Sequence, residues 1–116
     1  MPKQANDPIA RTQHGLEQLD ALLQHRTRLG ACVLLASNAL SFSRLKHLLG
    51  ETDGNLGAQM RKLEDAQYVG VKKEFQDRKP VTWYTLSDKG RDALQGHLRA
   101  MEGLIAVANG HATAAK

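Results

Sequence analysis

The sequence predicts an α+β fold, mainly α: a helix-turn-helix followed by a β-hairpin and a closing helix. Three observations predict it. Apolar residues recur at helical spacing through most of the chain, and period-two alternation is confined to residues 69–86. Between two of the helical patterns stand only Gly50-Glu51-Thr52, room for a tight turn and nothing more.

Taken in order, residues 1–14 are polar and carry Pro2 and Pro8, and they are expected to form a flexible tail. A single domain is expected over 15–108. Helical spacing begins with Leu16, Leu19, Leu22 and Leu23. A second helix is expected from about Thr27 to Ser37, burying Leu29, Cys32, Val33 and Ala36, with Leu34 and Leu35 broadening the face. Leu40-Ser41-Phe42 reads as a brief strand. Ser43 is expected to cap a short helix carrying Leu45, Leu48 and Leu49, which Gly50 ends. Thr52 caps the next helix, which runs to about Ala66 with Leu56, Met60 and Leu63 inward. Val69, Val71 and Phe75 alternate with polar residues, and residues 81–86 form a second β-rich run. Gln76-Asp-Arg-Lys-Pro80 between them is expected as a polar turn stiffened by its proline. Ser87 or Asp88 caps the last helix, 88–108. Its Leu94, Leu98, Met101, Ile105 and Ala108 fall at 4-3-4-3 spacing, the seam of a short coiled coil. Residues 109–116 are expected to fray.

Composition narrows the function without naming it. The 116 residues are 41% hydrophobic and 24% charged, ordinary for a globular chain that folds without disulfide or metal. A net charge of +4 and a pI near 9.5 favour an anionic partner modestly. One cysteine, no apolar run of membrane-spanning length and no signal-peptide pattern point to a cytoplasmic protein.

Several chemistries fail on spacing. Asp53-Gly54-Asn55 has the look of a calcium loop, but neither register of its glycines supplies the ligands. No Gly-Lys-Ser/Thr follows the glycines. The five histidines and Cys32 lack zinc spacing, so no metal site and no cofactor is expected. Cys32 lies on an apolar face as a buried thiol. No nucleophile, base and orienting group cluster, so the chain is not expected to be an enzyme. Trp83 is expected to pack beneath the hairpin rather than line an effector pocket, and the sequence identifies no effector.

Three stretches together carry a resemblance: HRTRLGACVLLA, FSRLKHLLGETDGNLGAQMRKLEDAQYV and VKKEFQDRKPVTWYTLSDKGRDAL. Over about residues 16–105 the chain resembles the small winged helix-turn-helix transcriptional regulators of the MarR and ArsR type. The resemblance implies a DNA-binding regulator, mostly a repressor in such families, acting on operator DNA as a homodimer. The chain departs from the ArsR metal sensors in lacking a Cys-x-Cys pair, and from many MarR proteins in its short N-terminal helix.

The helix-turn-helix geometry assigns roles residue by residue. Its second helix enters the major groove and reads base edges near its N-terminus. With Leu56, Met60 and Leu63 inward, the outward face holds Gly54, Ala58, Arg61 and Asp65, flanked by Asn55 and Lys62. Asn55 suits adenine and Arg61 suits guanine; Gln59 lies nearer the core and is a poorer candidate. Thr52 offers its hydroxyl and helix-start N–H groups to a phosphate. Asp53 is expected to serve the helix dipole. Arg78 and Lys79, with Lys73 behind them, suit a backbone or minor groove. Ser43, Arg44 and Lys46 open the preceding helix, which crosses the backbone. The dimer surface is expected from Leu16, Leu19 and Leu23 with Leu94, Leu98, Met101 and Ile105. The competing reading is a winged-helix scaffold whose basic wing holds an acidic protein partner, without specific DNA binding.

Overall fold

A computed structural model describes residues 7–110. Its elements, in chain order, are α1 (Pro8–Gln18), a 3-10 turn (Ala21–Leu23), α2 (Arg26–Leu35), β1 (Leu40–Ser41), α3 (Phe42–Leu49), α4 (Asp53–Asp65), β2 (Val69–Gln76), β3 (Lys79–Leu86) and α5 (Asp88–Ala108). The chain divides into two units, one of residues 21–94 and one of residues up to 20 together with those from 95. No helix among the described residues is long and apolar enough to cross a membrane.

The 21–94 unit holds the helix-turn-helix and the sheet. Its core is Leu23, Ala31, Cys32, Leu35, Leu45, Leu56, Met60, Leu63, Val69, Tyr84 and Leu94. Helix α2 starts where His25 Nδ1 accepts from the Thr27 N–H at 3.1 Å. Its buried face is Thr27, Ala31, Cys32 and Leu35, rotated from the expected one: Val33 is exposed. Helix α3 starts two residues earlier than expected. Ser41, not Ser43, is the cap, and its hydroxyl accepts from the Arg44 N–H at 3.1 Å. Gly50 ends α3 at φ 63°, a left-handed conformation that side chains resist. Thr52 then caps α4, accepting from the Asn55 N–H at 3.1 Å. The far end of α4 closes with Tyr68 N–H donating to Leu63 O and Gln67 N–H to Glu64 O, both at 2.9 Å, with Gln67 left-handed.

The sheet is antiparallel in the order β1-β3-β2. β2 and β3 pair from Val69↔Leu86 to Gln76↔Lys79, so the connecting loop is two residues, Asp77 and Arg78, and not the five expected. Both have positive φ, 51° and 67°, the signature of a tight hairpin turn whose twist matches the strands. Pro80 therefore lies in β3, opposite Phe75. Since Gln76↔Lys79 closes the turn, alternation makes Phe75↔Pro80 a pair without ladder bonds. β1 reaches only Trp83 and Tyr84, so the missing N–H of Pro80 costs the sheet nothing.

Trp83 also departs from expectation. It shares a face with Gly70, Lys72 and Thr85, opposite to Tyr84 and Val69 of the core. There it lines a shallow groove with Ala39, Val71 and Glu74. Its indole N–H is shielded and has no acceptor among the described residues.

In the other unit, residues 8–14, expected as tail, are the first turns of α1. Asp7 caps this helix, its carboxylate accepting from the Ile9 N–H at 3.0 Å, and Pro8 takes the first helical position, where a missing N–H is harmless. The inward position is Gly15, so close to Leu104 that a Cβ would stand 2.8 Å from its Cδ2. That face is built without large apolar residues, which is why the periodicity was silent there. The helix stops at Gln18, so the leucines from Leu16 to Leu23 do not form one helix: Leu19 is the extended cap, and Leu22 and Leu23 belong to the 3-10 region and its packing. His97 is 3% exposed, and its Nδ1 accepts from the Asp20 N–H at 2.9 Å. The expected tail from 109 lies largely outside the described residues.

Candidate nucleic-acid interface

The inward stripe of α4, Leu56, Met60 and Leu63, is fully buried. A helix fixed on one side must present the other, and Thr52, Asp53, Gly54, Asn55, Ala58, Arg61 and Lys62 are all exposed. A Cβ at Gly54 or Gly57 would meet no atom within 4 Å. Neither glycine is there to admit a neighbouring part of the chain.

Asp53 is the acidic residue of the first turn, and its carboxylate meets Lys46 Nζ at 2.9 Å across the turn. Lys46 is thereby committed to an intramolecular pair, half-exposed and worth no more than about 1 kcal/mol. Ser43 and Arg44 are exposed on α3. At the hairpin tip Arg78 and Lys79 are exposed, as is Lys73. None of Arg44, Arg61, Lys62, Lys73, Arg78 and Lys79 forms an ion pair with another described residue, whereas Lys72 lies 3.6 Å from Glu74. Burial raises the Tyr84 phenol above its ordinary range; the charge of Glu64 adds to this and that of Arg61 offsets it.

Behind the exposed face runs a chain of hydrogen bonds that sequence reasoning missed. Arg28 Nε donates to Leu22 O at 2.6 Å, and its guanidinium also donates to Gln59 Oε1. Gln59 Nε2 donates to Asn55 Oδ1 at 3.3 Å, and Asn55 Nδ2 donates to Glu51 Oε1 at 2.6 Å. The Thr27 hydroxyl donates to the other Glu51 oxygen. Hydrogen bonds from Thr27 and then Asn55 hold the Glu51 carboxyl below its ordinary value of 4.5. Thr27 and Gln59 are 1% and 8% exposed, and the chain satisfies both, as buried polar groups require. The Glu51, Asn55 and Gln59 spacing of four was visible in the sequence. The link to Arg28, 31 residues from Gln59, was not.

Of the residues expected at a dimer surface, Leu16, Leu98 and Ile105 are exposed at 56%, 38% and 54%, and Leu19 and Met101 are half-buried. Leu23 and Leu94 are not available: they lie in the core of the 21–94 unit.

Residues 27–105 match the family described as Winged helix DNA-binding domain. The chain belongs to that family. Its fold is shared with solved regulators. A transcriptional regulator homologue protein from Pyrococcus horikoshii OT3 is 29% identical, covering 86% of this chain and 95% of that one, with a TM-score of 0.68. A MarR-family transcriptional regulator from Silicibacter pomeroyi is 19% identical over 93% of this chain and 71% of that one, TM-score 0.55. A mutant of Lactococcus lactis ZitR, solved in complex with DNA, is 17% identical over 72% of this chain and 56% of that one, TM-score 0.55. The last two show likeness of fold alone. No curated protein matches the chain. The chain thus holds a winged-helix DNA-binding domain, with a fold that solved transcriptional regulators share.

Proposed function

We propose that this winged-helix protein is a sequence-specific regulator, a cytoplasmic repressor that binds operator DNA as a homodimer. The observation that carries this reading is the outward face of α4. Its first turns are small and open at Gly54 and Ala58, while Asn55, Arg61 and Lys62 stand exposed beside them. This is what close approach to a major groove requires. Thr52, Ser43 and Arg44 serve phosphates, and Arg78, Lys79 and Lys73 serve the backbone or minor groove as the wing. Lys46 acts instead by pairing with Asp53. The dimer surface is the exposed part of the seam, Leu98 and Ile105 with Met101 beside them, together with Leu16 and Leu19 of the N-terminal region.

The test is selection from a random duplex library followed by affinity across a salt series. A defined consensus is expected, with log affinity falling linearly against log salt by about 0.9 for each phosphate neutralised. Equal affinity for all duplexes would end the sequence-specific reading. Affinity for an acidic protein with none for duplex would favour the scaffold alternative.

A further inference from the structure

The direction of the Asn55 amide is set by its neighbours. Arg28 is a donor only, and its guanidinium faces Gln59 Oε1. Gln59 must therefore turn its Nε2 toward Asn55, and Asn55 must meet it with Oδ1. Glu51, ionised, is an acceptor only, and it takes the Asn55 Nδ2 at 2.6 Å. A donor-only group at one end and an acceptor-only group at the other leave one orientation for both amides between them. The ends are themselves pinned: Arg28 by Leu22 O at 2.6 Å, and Glu51 by the hydroxyl of buried Thr27. After these bonds Asn55 retains one N–H and one oxygen lone pair. Adenine presents the complementary pair on its major-groove edge, an acceptor at N7 and a donor at N6.

We propose that Glu51 and Gln59 are positioning residues that fix the Asn55 amide for reading an A·T pair. The proposal rests on α4 being the recognition helix. Neither residue needs to touch DNA. They hold the reader in one orientation before binding, so that little of its freedom remains to be lost. The same network, drawn from α2, explains why a glutamine occupies a nearly buried position on α4.

The test compares wild type with N55A, E51A and E51Q by library selection, and follows the Asn55 side-chain amide by NMR in the unbound proteins. N55A is expected to lose the preference for A·T at one position of each half-site. E51A is expected to lose it at that same position, roughly tenfold, while other positions and the salt slope stay unchanged. E51Q is expected to restore it, since its carbonyl still accepts from Asn55 and its amide donates to the Thr27 oxygen. In the unbound wild type the Asn55 amide proton held by Glu51 should exchange slowly, and in E51A as fast as that of an exposed asparagine. E51A weakening every position alike, or keeping the Asn55 preference intact, would show that Glu51 only braces the fold through Thr27 and would overturn the proposal alone. A wild type that selects no sequence would overturn the recognition-helix reading and the proposal with it. Fast exchange in the wild type would remove the fixed amide.

Discussion

Gly54 stands where a side chain would meet nothing within 4 Å, on a helix that would gain from having one. Glycine in a helix costs about 1 kcal/mol relative to Ala, and leucine costs little. Gly54→Leu is therefore expected to leave the thermal unfolding midpoint unchanged or raise it. It should also reduce operator affinity at least tenfold, measured by titration with the selected duplex. Normal binding by that variant would take the outward face of α4 out of the interface. The open face itself was legible from helical period alone, because Leu56, Met60 and Leu63 fix the rotation of everything else on α4. What the period could not supply was partnership. Nothing local to Gln59 says that Arg28 will meet it, and nothing local to Lys46 says that Asp53 will.

At the scale of elements, the hairpin turn repeats this tension between stability and use. Arg78 is held at φ 67°, a conformation that costs an ordinary residue about 1 kcal/mol and glycine almost nothing. Arg78→Gly should raise the unfolding midpoint by a few degrees. It should also weaken binding to duplexes of every sequence and flatten the salt slope by about one unit. An unchanged slope would mean that Arg78 touches no phosphate. The order of elements was readable because hydrophobic spacing changes period at Val69 and because Gly50 and Thr52 mark a turn. Starts were harder. Asp7-Pro8 is a helix start in its own right, but α1 packs through Gly15, so no apolar pattern announced it. The turn was read too long because Lys79 and Pro80 look like loop residues, although the strand end tolerates both.

At the scale of the whole molecule, apolar spacing reveals a face without saying what covers it. Leu94 and Leu98 follow one seam, yet Leu94 is 4% exposed in the chain's own core while Leu98 and Ile105 remain open. Leu98→Lys and Ile105→Lys are expected to give folded monomers by sedimentation, with operator affinity lowered by the loss of one half-site. Dimers that persist would place the interface elsewhere. If the dimer forms, its half-sites lie about one helical turn, 34–36 Å, apart or a multiple of it. The sheet register bears on association as well. β2 lies at the sheet edge, and β3 has no second neighbour between Lys79 and Thr82. Two open rows of backbone groups invite pairing with another chain, and Lys72, Lys73, Lys79 and Pro80 are residues that discourage it. The charge of the wing thus guards solubility, apart from the DNA contact proposed for it. A variant stripped of it to abolish DNA binding would also lose its defence against edge-to-edge aggregation.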